Sequence, residues 1–383
     1  MTEESIGVAM NGVTGRMGYH QHLVRSVLAI AAEGGVRLGD GRRVQVIPYL
    51  VGRDPVKVAD IARRHGITRW TTDLDQVLGD PEVNLYFDAQ VTPAREKSVE
   101  AAIAAGKHIY CEKPVAETAD AALRLARLAA STGVTCGVVH DKLYLPGLLK
   151  LRRLIDSGFF GRILSVRGEF GYWVFEGDWQ EPQRPSWNYR TEDGGGIVTD
   201  MFCHWDYVFA SLFGRVRSVI ARAVTHVPER WDERGRPYRA TADDAAYAIF
   251  ELDGGVTAQL NSSWCVRVHR DELVEFQVDG VNGSAVAGLW GCRVQHRAST
   301  PRAVWNPDLP VPERFRDQWS DVPDNGQPVN GFRAQWEEFI RSLYGEAAHP
   351  HDLLSGARGL QLAEAALRSS AEGRRVDLTE LSL

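Results

Sequence analysis

Long hydrophobic runs are missing from this sequence. No stretch approaches the roughly 18 apolar residues that a membrane span needs, so no membrane partner is expected. An excess of positive charge is missing as well. Lys and Arg number 44 against 50 Asp and Glu, a formal net charge of −6, and no basic run stands out. That balance argues against a nucleic-acid partner. Cysteine is sparse and unpaired in spacing: Cys111, Cys136, Cys203, Cys265 and Cys292 form neither a disulfide framework nor a zinc pattern, so no metal is expected. No repeat or low-complexity tract occurs. The acidic opening Met1-Thr2-Glu3-Glu4 runs straight into a short apolar strand rather than a secretory leader, and a cytoplasmic location is the expectation. What is present is the balance of a globular protein, 44% hydrophobic and 25% charged over 383 residues. That length exceeds one comfortable core, so two domains are expected. Tryptophan is the abundant oddity, at 11 copies, with Trp173, Trp179 and Trp187 in one Pro/Gly-broken stretch. Ordinary packing accounts for any single one of them. A cluster in a loop also suits the C–H faces of sugars.

The first third alternates short apolar runs with helical patterns, the signature of a parallel sheet built from βαβ units. Strands are read at Ile6–Met10, Val44–Val51, Asn84–Phe87, Lys107–Cys111 and Val134–Val139. A first helix from about Arg16 is expected to bury Leu23, Val24, Val27, Leu28 and Ala31. Gly34-Gly35 and Gly39-Asp40-Gly41 mark an extra turn or hairpin, and further helices fall at Ala94–Ala105 and Ala119–Ser131. After about Pro146 the pattern changes. A helix at Leu148–Ser157 leads into Arg162–Phe170 and an aromatic loop, and Gly194-Gly195-Gly196 opens another helix. Strand-like alternation then fills Val216–Val294 without intervening helices, which indicates an antiparallel sheet. A proline-rich loop spans Pro301–Pro328, and helices at Phe332–Leu343 and Leu353–Ser370 close the chain. The predicted fold class is α/β: a Rossmann-type parallel-sheet domain over residues 1–145, then an α+β domain with a large open, mostly antiparallel sheet over 146–383. The C-terminal helices are free to pack back on the first domain.

Asn11-Gly12-Val13-Thr14-Gly15-Arg16-Met17-Gly18 lies between the first strand and the first helix. Glycine there lets the backbone approach a pyrophosphate, and the helix N-terminus offers its free N–H groups. Gly12, Thr14, Gly15, Arg16 and Met17 are the candidate cofactor contacts. Many strand-to-helix turns carry glycine for steric reasons alone, and placement after the first strand is what favours the dinucleotide reading. The second strand of such domains normally ends in an acid for the ribose hydroxyls. Here Gly52 stands in that place, with Arg53 beside it and Asp54 next. Arg53 suits a 2′-phosphate, which favours NADP over NAD. It is equally compatible with a solvated charge, and Asp54 with the missing acid after a register slip.

Glu112-Lys113-Pro114 follows a parallel strand, at the edge where open sheets bind ligands. A lysine held there near a cationic cofactor ring is suited to proton transfer. By composition alone a Glu-Lys pair on a surface loop is the more ordinary reading. The wider pattern changes the weighting. Thr92-Pro93, then Ala101 through His108, then Glu112-Lys113-Pro114, and later Gly194-Gly195-Gly196-Ile197-Val198-Thr199-Asp200-Met201-Phe202-Cys203-His204 resemble the Gfo/Idh/MocA oxidoreductases. Phe332–Leu378, including Ala365–Ala371, is similar to that family's closing helices and last strand. The match spans nearly the whole chain.

The resemblance implies a catalytic set of Lys113, Asp200 and His204, and cofactor contacts that include Thr92, Pro93, Glu112 and Lys113. The expected reaction is hydride exchange between a nicotinamide and a secondary hydroxyl or keto group of a sugar, cyclitol or glycoside. His204 is expected to take the hydroxyl proton with help from Lys113, while Asp200 holds the imidazole. Asp200 and His204 are four apart, so a helix places both on one face. The plain alternative is a helix-capping or surface pair. Substrate contacts are expected among Lys113, Lys142, Trp173, Trp187, Tyr189, Asp200 and His204, with Trp179, Arg184, Trp264 and His269 as further candidates. The sequence departs from the family where Lys97 replaces a frequent histidine and where Asp141-Lys142-Leu143-Tyr144 replaces a basic–aromatic pair. It departs again where Tyr207 stands in place of an acid, with Asp206 one position earlier. A homodimer or homotetramer is implied. A non-catalytic dinucleotide-binding sensor on the same fold is the alternative. Dihydrodipicolinate reductase also carries a loop like Gly15-Arg16-Met17-Gly18, but its His-rich motif is absent.

Overall fold

The computed structural model describes residues 4–327 and 329–383. Met1-Thr2-Glu3 of the acidic opening, and Pro328 at the end of the proline-rich loop, lie outside them. The chain forms two compact units: Met1–Tyr144, Val329–Gln361 and Glu380–Leu383 make the first, Leu145–Pro328 and Leu362–Thr379 the second.

The first unit contains β1 (Glu4–Asn11), β2 (Val36–Arg37), β3 (Arg43–Val51), β4 (Trp70–Thr71), β5 (Val83–Asp88), β6 (His108–Cys111) and β7 (Cys136–Val138). They form one sheet in the order β2-β3-β1-β5-β6-β7, with β4 also on β3. Every pair is parallel except β2 on β3, the hairpin that the glycines at 34–41 announce. Strands buried on both faces read as continuous apolar runs, which is why β1 and β5 stand out in the sequence. Alternate residues feed two cores. Ala9, Tyr86, Ile109 and Cys111 pack with Val99, Ala102, Leu125 and Ala129. Val8, Met10, Phe87 and Tyr110 pack with Leu23, Val27, Trp336, Phe339 and Ile340.

The first helix departs from its expected face. Over Gly18–Leu28 it runs in an i→i+5 register, and His22, Leu23, Ser26, Val27 and Ile30 are buried in place of Val24, Leu28 and Ala31. Two polar side chains lie inside, so a hydropathy pattern points one residue too far along. Helices at Pro55–His65 and Leu74–Leu78 are additional to the sequence reading. The first has an ordinary start signal, with the Asp54 carboxylate accepting from the Val56 and Lys57 amides and Pro55 in the first turn.

Between β1 and β5 the chain connections leave in opposite directions, the switch point at whose carboxyl end such sheets bind ligands. A buried polar chain crosses this point. Asn11 Nδ2 donates to the Tyr86 hydroxyl (2.8 Å), which donates to Asp88 Oδ2 (2.6 Å). Arg95 Nε donates to Asp88 Oδ1 (3.0 Å), while its other nitrogens donate to the carbonyls of Gln90 and Pro114. Burial, then the Asp88 charge, pushes the Tyr86 hydroxyl well above its ordinary pKa, so it stays a donor.

The second unit is built on β8 (Ile163–Gly171), β9 (Val216–Val224), β10 (Glu229–Trp231), β11 (Pro237–Arg239), β12 (Ala245–Leu252), β13 (Thr257–Ser263), β14 (Val274–Gly280), β15 (Gly283–Gly288), β16 (Cys292–His296), β17 (Ser320–Asp321) and β18 (Val376–Asp377). Apart from the β10-β11 ribbon, they make one sheet in the order β17-β16-β15-β14-β8-β13-β12-β9-β18. Only β8 and β13 run parallel in it, so the sheet is mostly antiparallel, as expected. In β12, Ala246, Ala248, Phe250 and Leu252 face inward while Tyr247, Ile249 and Glu251 face out. The helix Ile197–Leu212 covers the inner face and is buried along most of its length, through Phe202, Trp205 and Phe209. Trp205 Nε1 donates to Ser262 Oγ of β13 at 3.0 Å, which fixes its rotation on the sheet.

Asp88 is fully buried and Arg95 nearly so, and an uncompensated buried carboxylate costs about 3–5 kcal/mol. Arg95→Met is expected to destabilise the first unit by that amount in urea unfolding, and adding Asp88→Asn to recover part of it. A loss below about 1 kcal/mol would show the pair to be solvated.

Candidate active site

In the first unit, the turn after β1 is closed by a bond from the Gly15 amide to the Gly12 carbonyl (3.0 Å). Gly12 has φ +85°, and a Cβ there would stand 2.5 Å from the Ala89 carbonyl carbon, so the turn tolerates only glycine. Thr14, Gly15 and Arg16 are exposed and Met17 half-buried where the helix begins. Donors and a helix N-terminus thus meet at the switch point, an arrangement that fits the pyrophosphate of a dinucleotide. Gly52, at the end of β3, is buried. A Cβ on it would come within 2.7 Å of Val58 Cγ2 and 3.7 Å of Thr14 Cγ2. The usual ribose-binding acid therefore has no room at this position. The Asp54 carboxylate caps the next helix through Oδ1, while Arg53 is exposed. Thr92 and Pro93 open the helix Thr92–Ala104, four residues beyond the end of β5.

Glu112 and Lys113 lie just past β6, and the Lys113–Pro114 peptide is cis. Glu112 is buried. Its Oε1 lies 2.8 Å from His22 Nε2, and its Oε2 accepts from the Lys113 amide at 3.1 Å. Trp336 Nε1 donates to His22 Nδ1 at 3.0 Å. An indole can only donate, so His22 carries its proton on Nε2 and donates to the carboxylate. Burial raises the Glu112 pKa, but the His22 hydrogen bond and the charges of Lys113 and Arg95 more than offset it, and the carboxyl rests below its ordinary value. The turn that presents Lys113 is thereby held at both ends, by His22 through Glu112 and by Arg95 through the Pro114 carbonyl. Lys113 itself is half-buried and carries interactions of its own. Lys142 pairs with Asp141 at 2.5 Å on the short turn Asp141–Tyr144.

In the second unit, the helix carrying Asp200 and His204 is started from outside. Asp243 accepts the Ile197 amide on its carbonyl (2.9 Å) and the Val198 amide on its carboxylate (2.8 Å). Asp200 sits in the first turn, where a helix favours negative charge, and Arg184 Nη2 donates to its Oδ2 at 3.0 Å. Burial opposes the Arg184 charge, but Asp200 outweighs it and raises the Arg184 pKa. His204 is buried one turn on. Its Nδ1 lies 2.6 Å from the Tyr207 hydroxyl, so Tyr207, three residues along the same face, orients the imidazole. Tyr207 thus provides the hydrogen bond that an acid would give, without the negative charge.

The aromatic stretch divides. Tyr189 is buried, edge-on to Trp264, with the Arg230 guanidinium 3.8 Å above its ring. Arg184 lies 4.1 Å above the ring of Trp264, so Tyr189, Trp264, Arg184 and Asp200 form one contiguous group. Trp173 is half-buried beneath Arg267 (3.9 Å), and Trp179 packs edge-on to Phe175. Trp179, Trp187 and His269 are exposed. In the first unit, the residues absent from the sequence reading are His22, Trp336, Arg95 and Asp88. Only Asp88 leaves a signal, as a charge closing an apolar strand. Among the described residues no helix is long and apolar enough to cross a membrane, and no group of acids, histidines and cysteines is placed to hold a metal. Their cysteines are all free thiols.

A family model described as "Oxidoreductase family, NAD-binding Rossmann fold" matches residues 6–140, and a GFO/IDH/MocA C-terminal domain model matches 148–286. The chain belongs to the GFO/IDH/MocA oxidoreductase family. Across the full length of both proteins it is 60% identical to a D-xylose dehydrogenase of Paenarthrobacter nicotinovorans. A levoglucosan dehydrogenase of Pseudarthrobacter phenanthrenivorans is 26% identical over 61% of this chain and 62% of that one. Among solved structures, a levoglucosan dehydrogenase in complex with NADH and levoglucosan superposes with a TM-score of 0.79. It is 21% identical, over 98% of this chain and 100% of that one, which shows the fold. The chain is an NAD(P)-dependent oxidoreductase, and a non-catalytic sensor is not favoured.

Because the Glu112 pKa is lowered on folding, its stabilising effect is complete above the unfolded value of about 4.3 and is lost as pH falls through the folded one. Glu112→Gln, which turns one acceptor into a donor facing an N–H, is expected to cost about 1–3 kcal/mol at neutral pH. Thermal denaturation of both proteins across pH is expected to show the gap closing below about pH 4. A gap independent of pH contradicts a charged Glu112.

Proposed function

We propose that this protein oxidises a CH–OH group of a free sugar at the expense of a nicotinamide dinucleotide, with D-xylose the first substrate to test. The observation that carries the reading is full-length 60% identity to a D-xylose dehydrogenase. Support comes from the second unit, where Trp264 Nε1 and the Tyr189 hydroxyl are buried with no hydrogen-bond partner among the described residues. Buried donors seek acceptors, and sugar hydroxyls offer them beside an aromatic face.

The dinucleotide, when bound, supplies the hydride chemistry. Gly12, Thr14, Gly15, Arg16 and Met17 would hold its phosphates, and Thr92, Pro93 and Glu112 belong to the same set of contacts. The chain's own task is the hydroxyl proton. His204 takes it, with its orientation set by Tyr207, Lys113 assists, and Asp200 holds the base in register. Lys142, Trp173 and Trp187 are proposed as further sugar contacts. Between the cofactors, Arg53 together with the excluded acid at Gly52 favours NADP. The outward row formed by Ile220, Tyr247 and Ile249 supports a homodimer or homotetramer through that sheet face, and a cytoplasmic location is proposed with it.

Reduced-cofactor absorbance with D-xylose and a panel of sugars and cyclitols tests the reading. Lys113→Ala and His204→Asn are each expected to lower kcat/KM by about 10²–10⁴-fold while cofactor binding persists. Full turnover in either variant removes that residue from the mechanism. Loss of a charge-assisted bond in Arg53→Ala is expected to shift the NADP-to-NAD ratio of kcat/KM toward NAD by about tenfold or more. An unchanged ratio places Arg53 in solvent.

A further inference from the structure

Arg184 lies in an irregular segment between β8 and the helix Ile197–Leu212, flanked by Pro182 and Pro185. No backbone ladder fixes such a residue. Its side chain is nevertheless held on two sides. On one, Nη2 donates to Asp200 Oδ2 at 3.0 Å. On the other, the guanidinium lies 4.1 Å above the Trp264 ring, and Trp264 is fully buried immediately after β13. Trp264 meets Tyr189 edge-to-face, with centroids 5.4 Å apart at 76°. Tyr189 in turn carries Arg230 over its other flank at 3.8 Å, and Arg230 donates to the buried Asp244 at 3.2 Å. Asp244 also accepts the amides of His226 (2.7 Å) and Val227 (3.0 Å), so the stack ends on backbone of the sheet region.

We infer that Arg184 is a positioning residue for the reaction, holding the Asp200 carboxylate in place, with the Trp264–Tyr189–Arg230 stack fixing the guanidinium from behind. The inference rests on the proposed role of Asp200 and His204. A short carboxylate in the first turn of a helix has more than one χ1 rotamer open to it, and each partner it takes narrows that choice. The guanidinium directs its Nη2–H at Asp200 Oδ2 along a vector fixed in its own plane, where an ammonium would attract the carboxylate without aiming it. The cation–π contact with Trp264 then restricts the freedom that a long arginine side chain ordinarily keeps. The stack thereby converts the rigidity of the sheet into the orientation of Asp200, one turn ahead of His204.

The test uses the full-length enzyme with its cofactor and the sugar that gives best turnover. Arg184→Ala is expected to lower kcat by about 10–100-fold with KM for the sugar changed less than about threefold, the pattern of an interaction used in the transition state. Added guanidinium ion at millimolar concentration is expected to restore activity to Arg184→Ala saturably, without raising that of the wild type. Arg184→Lys is expected to recover part of the lost kcat. A kcat within about twofold of wild type overturns the inference. So does a loss confined to KM, which would make Arg184 a sugar contact. Failure of both guanidinium and Arg184→Lys to restore kcat overturns it as well, leaving Arg184 a packing residue. Asp200→Asn run in parallel separates the two claims. If that variant keeps full turnover, the role assigned to Asp200 has failed, and Arg184 has nothing to position.

Discussion

A carboxylate taken out of water must be met by donors or it will not stay charged, and the architecture of the first unit follows from that constraint. Two of the parallel strands deliver acids to the carboxyl edge of the sheet: β5 ends in Asp88, and β6 is followed by Glu112. Each is met by a residue from another element. Arg95 comes from the helix after β5, and His22 from the helix after β1, itself fixed by Trp336 from the chain's late return. Both chains of bonds converge on the same turn. Arg95 reaches the Pro114 carbonyl and His22 reaches Glu112, so Lys113 stands between two anchored neighbours. The lysine is placed by its neighbours' need for partners.

The second unit applies the rule around a helix. Asp243 caps the helix start, Asp244 collects two amides and Arg230, and Asp200 takes Arg184. The aromatic rings between the two arginines keep these charges apart while letting each feel a π face. Tyrosine at position 207 gives the imidazole of His204 a neutral partner, which directs it without adding negative charge. An imidazole so partnered is held in one orientation.

Much of this was legible in the residues. Short apolar runs alternating with helical patterns announced a parallel sheet, and alternation in β12 and β14 an antiparallel one, because periodicity follows directly from which faces are buried. Gly12 announced its turn for a steric reason. Asp200 and His204 were singled out by the resemblance to the family, and their spacing agreed with it, since four residues make about one turn. What was hidden depends on distant partners. Nothing near His22 reveals that it faces Glu112 across 90 positions, and burying it shifted the inner face of its helix by one residue. Trp336 donates to His22 across 314 positions, a contact no local pattern encodes. Tyr189, a candidate substrate contact in the sequence, is buried, with Trp264 edge-on to its ring and Arg230 above it.

The central claim is that this chain moves a hydride from a sugar carbon to a nicotinamide while its own side chains handle only the proton. The most direct measurement is isotope transfer. The holoenzyme is supplied with oxidised cofactor and a turned-over sugar carrying deuterium at the carbon to be oxidised, and the reduced cofactor is then examined by mass spectrometry. The account expects one deuterium per turnover on the nicotinamide ring and none washed out to solvent. Deuterium appearing in water, with an unlabelled reduced cofactor, would contradict it.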